Sequence, residues 1–203
     1  MKRKDKNTEQ VILQTARKIF IQKGLAGARM QDIADQAGFN KALVHYYFTS
    51  KDKLFDLVFE HEMSNLFSNL VAIMSADLPL FEKIENIVSL DIDRLTQFPG
   101  LPIFVLNEMS RNPDVILKRV KKIPVQKVMD GFQKQINSEI KKGTIKKITA
   151  DQLFINIQSL CIFPFIARPM IKGLLQLDDK AYLAMIEKRK TEVAQFIINA
   201  IKV

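Results

Sequence analysis

Apolar residues recur every three or four positions along almost the whole chain, and this spacing most constrains its fold. Ile12, Ala16 and Ile19 show it near the beginning of the sequence. Val193 and Ile197 show it near the end. Such spacing puts side chains on one face of an α-helix, whereas a half-buried strand needs apolar and polar residues to alternate. The sequence therefore predicts an all-α protein.

Cap and turn residues divide the first part of the chain into helices. Asn7 can cap the first of them. Gly24 and Gly38 accept the positive φ at which a helix often ends, so they mark the ends of the first and second helices. Thr49-Ser50 offers a cap for a much longer fourth helix. We expect helices over about residues 8–23, 30–37 and 41–47, and a long one from residue 51.

Prolines, glycines and further caps divide the rest of the chain, which gives about nine helices in all. Thr149 with Gln152 matches a capping box, and Asp178 is placed to cap the last helix. Pro164 and Pro169 should bend or interrupt the helix that contains them, because proline lacks the amide hydrogen and crowds the preceding turn. The expected helices start near Pro79, Leu101, Asn112-Pro113, Pro124, Ala150 and Asp178.

The sequence contains few of the residues from which catalytic or metal sites are built. Cys161 is the single cysteine, so no internal disulfide can form. With only two histidines, His45 and His61, a Cys/His zinc site of standard spacing cannot be assembled. Cys161 lies among apolar residues without a neighbouring histidine, and no glycine-rich phosphate loop is present. We therefore predict no enzyme, no catalytic residue, no metal and no cofactor.

The distribution of apolar residues bears on the compartment. They make up 47% of the chain but form no long uninterrupted run, and the charged start MKRKDKN lacks the apolar stretch of a signal peptide. A single cysteine suits a reducing compartment. We expect a soluble, cytoplasmic protein with no membrane partner.

The net charge of +9 is spread unevenly. Residues 1–6 form a basic tail, which either adds sequence-independent affinity for DNA or only solubilises the chain. Residues 7–60 are nearly neutral, with seven basic side chains against six acidic ones. The largest excess, eleven against three, lies at residues 111–147. This segment is either a solvated helical face or a binding surface, so an alternative function is a helical adaptor or scaffold for an acidic protein or membrane surface.

Residues 31–48 have the pattern of two short helices that cross steeply at a tight turn. The small residue Ala34 suits the point where the helices touch, and Gly38 suits the turn. In a helix-turn-helix unit the N-terminal end of the second helix points at base edges in the DNA major groove. The apolar residues that would lock the pair are Ile33, Ala37, Phe39, Val44 and Tyr47. The residues left outside, which are candidate DNA contacts, are Asn40, Lys41, Ala42, His45 and Tyr46.

The stretch GARMQDIADQAGFNKALVHYYFTSKDKLF resembles the DNA-binding head of TetR-family transcriptional regulators. The resemblance covers the first quarter of the chain directly. It implies a DNA-binding helix-turn-helix domain over residues 1–50, of which 1–6 are the basic tail, and an effector-binding and dimerisation domain over residues 51–203. The shared pieces are Ile33-Ala34, Ala37-Gly38, Tyr46-Tyr47-Phe48 and the entry to the fourth helix from Phe48 to Leu54.

The resemblance also implies roles for single residues. Lys51 matches the family lysine at the start of the fourth helix, where backbone amides and a positive helix end can hold a phosphate. Arg29 stands where the family usually has Ser or Thr, and it can replace the phosphate contact of that residue. His45 stands where a tyrosine commonly touches the DNA backbone, so Tyr46 can take over that contact. The predicted DNA-binding residues are Arg29, Gln31, Asn40, Lys41, Ala42, His45, Tyr46 and Lys51.

In the same family the body encloses a small-molecule pocket, and filling it changes the separation of two DNA-binding heads. Close helix packing should be interrupted at residues 98–101 and at Pro164, and a mostly apolar ligand would fit there. The candidate ligand-binding residues are Met63, Phe67, Phe104, Met109, Phe132, Ile157, Cys161 and Phe165.

One recognition helix reads too few bases, so proteins of this kind usually bind a near-palindrome as two-fold dimers. The resemblance implies that the last two long helices pair with their copies as a four-helix bundle. We expect a homodimer that binds a palindromic operator in double-stranded DNA as a repressor, because occupying a promoter needs no additional surface. The candidate interface residues are Leu153, Leu160, Tyr182, Ile186, Val193 and Ile197.

Overall fold

The computed structural model describes residues 5–111, 113–114 and 125–203. Within this part of the chain there is no β-strand, and an isolated antiparallel bridge joins Ile145 to Lys202. The all-α prediction is confirmed. The helices are α1 (Lys6–Gly27), α2 (Met30–Ala37), α3 (Lys41–Tyr47), α4 (Lys51–Ser75), α5 (Leu80–Gln97), α6 (Leu101–Arg111), α7 (Val125–Lys141), α8 (Ala150–Ile166), α9 (Arg168–Leu174) and α10 (Asp179–Ile201).

The first helix begins earlier and ends later than predicted. Asp5, and not Asn7, caps it: the Asp5 Oδ1 accepts a hydrogen bond from the Asn7 amide at 3.1 Å. Gly24 has φ 66° and ψ 178° and interrupts the helix, but helical turns continue to Gly27. The next two helices and the start of α4 lie at the predicted residues.

The chain divides into two compact units, and the division falls inside α4, between Leu66 and Phe67. It therefore lies later in the sequence than the domain boundary expected at residue 50. In the N-terminal unit α1 packs against α2, and α2 packs against α3. Phe20 and Phe55 meet edge to face, with ring centroids 5.1 Å apart. The buried side chains of this unit include Ile12, Ala16, Ile19, Ile33, Ala34, Val44, Leu54 and Phe59.

The C-terminal unit, called the body below, is centred on α5, which packs against both α8 and α10. Helix α7 packs against α8. Complete burial of a large aliphatic or aromatic side chain contributes about 1.5–3 kcal/mol, so the apolar stripes of these helices hold the body together. The buried side chains include Ile84, Ile87, Val88, Phe132, Ile136, Leu153, Ile157, Tyr182 and Ile186.

The predicted interruption near the prolines lies at Ala167. Pro164 is accommodated inside α8, whereas Pro169 lies in the first turn of α9, and the two helices meet at 72°. Pro169 has no amide hydrogen to donate, so α8 does not continue through it. Among the described helices, none by itself has the length and apolar character to cross a membrane, although the bent α8–α9 pair has both when taken together.

The predicted capping box at the start of α8 is wrong. Thr149 precedes α8, but its side chain makes no cap hydrogen bond. Its hydroxyl is bonded instead to the carboxylate of Asp151 and lowers the pKa of that carboxyl. Gln133 Oε1 accepts from the Ala150 amide at 2.7 Å, so a side chain of α7 caps α8. Asp178 caps α10 as predicted, because its Oδ1 accepts from an amide in the first turn at 2.7 Å.

Some predictions lie outside the described residues. They concern Lys2, Arg3 and Lys4 of the basic tail, the helix start at Asn112 and the helix opening at Pro124. Of the basic segment 111–147, the structure describes residues 111, 113–114 and 125–147.

Candidate DNA-binding interface

Helix α3 has one buried side and one exposed side. Val44 is fully buried and Leu43 and Tyr47 are half-buried, so this side holds α3 to its own unit. At 100° per residue, the exposed residues occupy an arc of about 140° opposite Val44 and its neighbours. We call this arc the recognition face, and its residues are Lys41, Ala42, His45 and Tyr46.

Asn40 joins the turn to the recognition face. Its Oδ1 accepts a hydrogen bond from the Leu43 amide at 2.7 Å, which satisfies one of the free amides at the start of α3. Gly38, with φ 73°, makes the turn that precedes it. Asn40 is nevertheless exposed, so it caps the helix and stands beside its tip.

The end of α3 is tied to the start of α1. Tyr47 is half-buried, and its hydroxyl oxygen accepts a hydrogen bond from the Asp5 amide at 2.9 Å. The ring of Tyr47 also meets that of Tyr46 edge to face, with centroids 5.5 Å apart. Tyr47 therefore orients the aromatic residue that belongs to the recognition face.

Arg29 and Gln31 lie at the start of α2. Arg29 is exposed in the cap position, and its side chain makes no cap hydrogen bond. Gln31 is exposed as well, and its Nε2 donates to Asp35 Oδ1 at 2.7 Å. Both residues are accessible, and Gln31 is held by a neighbour along its own helix.

Lys51 begins α4, and its side chain turns towards the end of α1. It is half-buried, and its ammonium donates to the Leu25 carbonyl at 2.8 Å and to the Ala28 carbonyl at 3.1 Å. The side chain thereby braces the turn between α1 and α2. The amides of the first turn of α4 remain a positive helix end. The brace spans 26 residues of sequence, and no local pattern reveals it.

A buried ion pair fixes α1 against α4 in the same unit. Glu62 is 1% exposed; Arg17 Nη2 donates to one of its oxygens at 2.8 Å, and Arg17 Nε lies 2.5 Å from the other. Two parallel contacts of this kind fix orientation as well as distance. The pair orients the helix that carries Lys51 and was not predicted, because its members lie 45 residues apart.

The eight candidate ligand-binding residues do not share one environment. Met63 belongs to the N-terminal unit, Phe67 is half-buried, and Met109 is 45% exposed. The expectation that Met109 faces inward is therefore wrong. The remaining five are core side chains of the body, namely Phe104, Phe132, Ile157, Cys161 and Phe165.

A polar group lies among these core residues. Asp91 on α5 is buried and accepts a hydrogen bond from Gln158 Nε2 at 2.6 Å. Burial raises the pKa of its carboxyl to about 6, against the hydrogen bond and the charge of Arg94. Burial, with the charge of Asp91, also raises the pKa of the Cys161 thiol to about 12. The thiol stays protonated at neutral pH, in keeping with the inert cysteine that the sequence predicts.

Most residues of the predicted dimer interface are buried within their own chain. Five of the six candidates are buried, although Leu153 and Ile197 also line a groove between α8 and α10. Leu160 is partly exposed. The candidates that are buried within their own chain are Leu153, Tyr182, Ile186, Val193 and Ile197.

Exposed apolar residues occupy another side of these two helices. Phe163 on α8 is 55% exposed, and Phe196 on α10 is 65% exposed. A shallow groove of about 330 Å³ runs between α8 and α10 beside them. We call this side the groove face, and its residues are Asn156, Ser159, Leu160, Phe163, Phe196 and Ala200.

Residues 12–58 match the model of the family described as bacterial regulatory proteins, tetR family. Over 54 residues the chain is 43% identical to the HTH-type transcriptional repressor NicS of Pseudomonas putida. This alignment covers 27% of this chain and 26% of NicS. Over 93 residues it is 27% identical to the nucleoid occlusion factor SlmA of Haemophilus influenzae. This second alignment covers 46% of this chain and 43% of SlmA. The matched segments thus span less than half the length of these relatives.

The fold is similar to that of solved structures along its whole length. The ketosteroid transcriptional regulator KstR2 of Mycobacterium tuberculosis aligns with a TM-score of 0.68 at 16% identity, over 98% of this chain and 97% of that one. At this identity the likeness shows the fold alone. The family match covers α2, α3 and the recognition face, and the shared fold extends through the body. Residues 12–58 therefore match the tetR family of bacterial regulatory proteins, and the rest of the chain shares its fold with solved transcriptional regulators.

Proposed function

We propose that this chain is a cytoplasmic repressor that binds a palindromic operator as a homodimer and is released by a small ligand bound in the body. TetR-family regulators are DNA-binding transcription factors and not enzymes. The observation that carries the proposal is the recognition face, where Lys41, His45 and Tyr46 stand outside a helix that Val44 anchors. Side chains placed in this way can enter a major groove.

The proposed DNA contacts divide into those that distinguish bases and those that position the protein on the DNA backbone. Lys41 and His45 can exchange hydrogen bonds with base edges, and the methyl group of Ala42 suits an apolar contact with thymine. Arg29 and the first amides of α4, at Lys51, suit phosphate oxygens. Because residues 7–60 are nearly neutral, specificity should come from these few contacts and not from a general basic surface.

Selection of bound sequences from random double-stranded DNA by the full chain tests this proposal. The expected result is one near-palindrome whose half-sites lie about 34 Å apart or a multiple of it. Lys41→Ala and His45→Ala should each weaken binding by about tenfold and relax the preference at one position in each half-site. The control is Lys188→Ala, an exposed residue of α10 in the body, which should leave DNA binding unchanged.

The opposite outcome is equally clear. Equal affinity for every DNA sequence, with binding lost as the salt concentration rises, would contradict a sequence-specific regulator. It would favour the helical adaptor, which binds through the basic segment 111–147.

For the homodimer we propose the groove face as the interface. Phe163 and Phe196 supply large apolar side chains, and Ser159 and Ala200 are small enough to let two copies approach closely. Burying exposed aromatic residues at the centre of an interface supplies much of its affinity. This interface uses the side of α8 and α10 that their own core leaves free.

Sedimentation velocity at micromolar concentration tests the interface. The parent chain should be a dimer, and Phe196→Glu should dissociate it, with at least about a hundredfold weaker association. Leu183→Glu is the control, because Leu183 is also exposed but lies about 140° around the α10 axis from Phe196. A monomeric parent, or a Phe196→Glu chain that remains dimeric, would exclude this interface.

A further inference from the structure

A crevice of about 580 Å³ opens in the body between the end of α4, the start of α5 and α7. Its volume lies in the range of pockets that hold small molecules. Its apolar wall includes Val71, Met74 and Val128, and its polar residues include Lys83, Lys127 and Gln135. None of the eight residues expected from the sequence to bind a ligand lines it.

Lys83 is the unusual residue in this crevice, since a lysine is seldom buried without a partner charge. It is 5% exposed, and its ammonium donates to the Met74 carbonyl at 2.9 Å and to Gln135 Oε1 at 2.8 Å. Both acceptors are neutral, and an ammonium has three N–H groups to donate. Within the part of the chain that the structure describes, no carboxylate forms an ion pair with Lys83.

The electrostatics of the crevice favour an anion. Burial lowers the pKa of Lys83 below its ordinary value, while the charge of Asp77, which also lines the crevice, acts in the opposite direction. A lowered lysine pKa means that the charged form is costly in this place, and an anion beside the ammonium would reduce that cost. Lys127 is exposed at the rim and adds a second positive charge.

The hydrogen bonds around Lys83 also hold its position. Gln135 Nε2 donates to the Leu78 carbonyl at 2.8 Å, so the amide oxygen that accepts from Lys83 is fixed. A preorganised cation next to an apolar wall is suited to a ligand with one charged end and one hydrocarbon end.

We propose that this crevice binds a small amphiphilic carboxylate, whose charged end meets Lys83 and Lys127 and whose hydrocarbon part lies against Val71, Met74 and Val128. The inference rests on the proposed function, because it names the class and the site of the ligand that the regulator would sense. The ligand expected from the sequence was mostly apolar, and this site differs in both place and chemistry.

The hydrogen bond from Lys83 to Met74 connects the proposed ligand site to α4. The Met74 carbonyl that accepts from Lys83 lies in the last turn of α4, the helix that begins at Lys51. A carboxylate in the crevice would compete with this carbonyl for the ammonium. Ligand binding would thereby change the hydrogen bonding at the end of α4.

Isothermal titration calorimetry of the full chain, without DNA, tests the site with octanoate and octan-1-ol as probes. Octanoate should bind at least about tenfold more tightly than the alcohol, because only the acid supplies the negative charge. Lys83→Met should weaken octanoate binding at least about tenfold, Lys83→Arg should retain it, and Lys127→Met should weaken it about threefold. Lys134→Met, an exposed lysine of α7 that does not line the crevice, is the matched control and should bind as the parent does.

Equal affinity for the acid and the alcohol, or full octanoate affinity in Lys83→Met, would overturn the proposal. So would the absence of binding across butyrate, octanoate, decanoate and benzoate. If circular dichroism shows that Lys83→Met has lost its helices, Lys83→Arg, Lys127→Met and the comparison of acid with alcohol decide the question. Because calorimetry involves no DNA, it separates this site from the proposed function, which operator selection tests without any acid.

Discussion

The recognition face of α3 is polar and aromatic, whereas the groove face of α8 and α10 is largely apolar, and each lies beside a buried stripe of its own helix. On α3 the outward Lys41 and His45 are polar, whereas Val44 is apolar and buried. On α10 the outward Phe196 and the inward Ile197 are both apolar. Residue type therefore separates Lys41 and His45 from the buried Val44 on α3, but it does not separate Phe196 from Ile197 on α10.

This difference explains why apolar stripes are a poor guide to an interface. A stripe of period 3.6 identifies the side of a helix that is buried, but the burial can be within the chain or between copies. In the body the strongest stripes face α5. Binding of a second copy of the chain requires apolar residues on another side of these helices. Here they are single exposed residues such as Phe163 and Phe196.

The largest expected effect distinguishes the two sides of α10. Ile186 is 1% exposed, so Ile186→Ala should lower the free energy of unfolding by about 2–5 kcal/mol through lost burial and a cavity. Leu183→Ala, at an exposed position of the same helix, should change it by less than about 0.5 kcal/mol. Urea unfolding followed by circular dichroism gives both values. If Ile186→Ala left the unfolding free energy unchanged but weakened self-association, the stripe would be the interface after all.

The next effect tests the ion pair that orients α4 in the N-terminal unit. Arg17→Met removes the guanidinium beside the buried Glu62 carboxylate, which should lower the free energy of unfolding by about 3 kcal/mol. Lys23→Met is the control, because the Lys23–Asp32 pair is exposed and should contribute nothing measurable. Chemical unfolding of the two variants makes the comparison. Equal stabilities would mean that the buried pair does not hold α1 to α4.

A buried carboxyl makes the stability of the body depend on pH. The pKa of Asp91 is about 6 in the folded chain against an ordinary value of 3.8, so the folded chain binds more protons between these values. The contribution of Asp91 to stability is therefore present below pH 3.8 and lost as pH rises through about 6. Asp91→Asn cannot ionise, so its free energy of unfolding relative to the parent should increase by about 2–3 kcal/mol between pH 4 and pH 7. A difference that stays constant over this range would show that Asp91 is not the titrating group.

Local signals in the sequence predict the N-terminal unit closely. Gly38 requires a turn and Asn40 caps the following helix, so the ends of α2 and α3 follow from neighbouring residues. Contacts between distant residues are different, because nothing near Lys51 in the sequence indicates that it will bond to Leu25. The same holds for Lys83 with Gln135, which lie 52 residues apart. Helix ends such as these can be predicted from neighbouring residues, whereas braces, ion pairs, crevices and the cap that α7 supplies to α8 depend on packing.

The smallest expected effect concerns two caps that look alike in the sequence. Asp178 accepts a hydrogen bond within the first turn of α10, so Asp178→Ala should lower the free energy of unfolding by about 1 kcal/mol. Thr149 makes no cap bond, and Gln133 already accepts from the first amide of α8, so Thr149→Ala should cost much less. Thermal unfolding of both variants beside the parent measures the difference. Equal losses would mean that Thr149 caps α8 in solution, and the sequence-based capping box would then be restored.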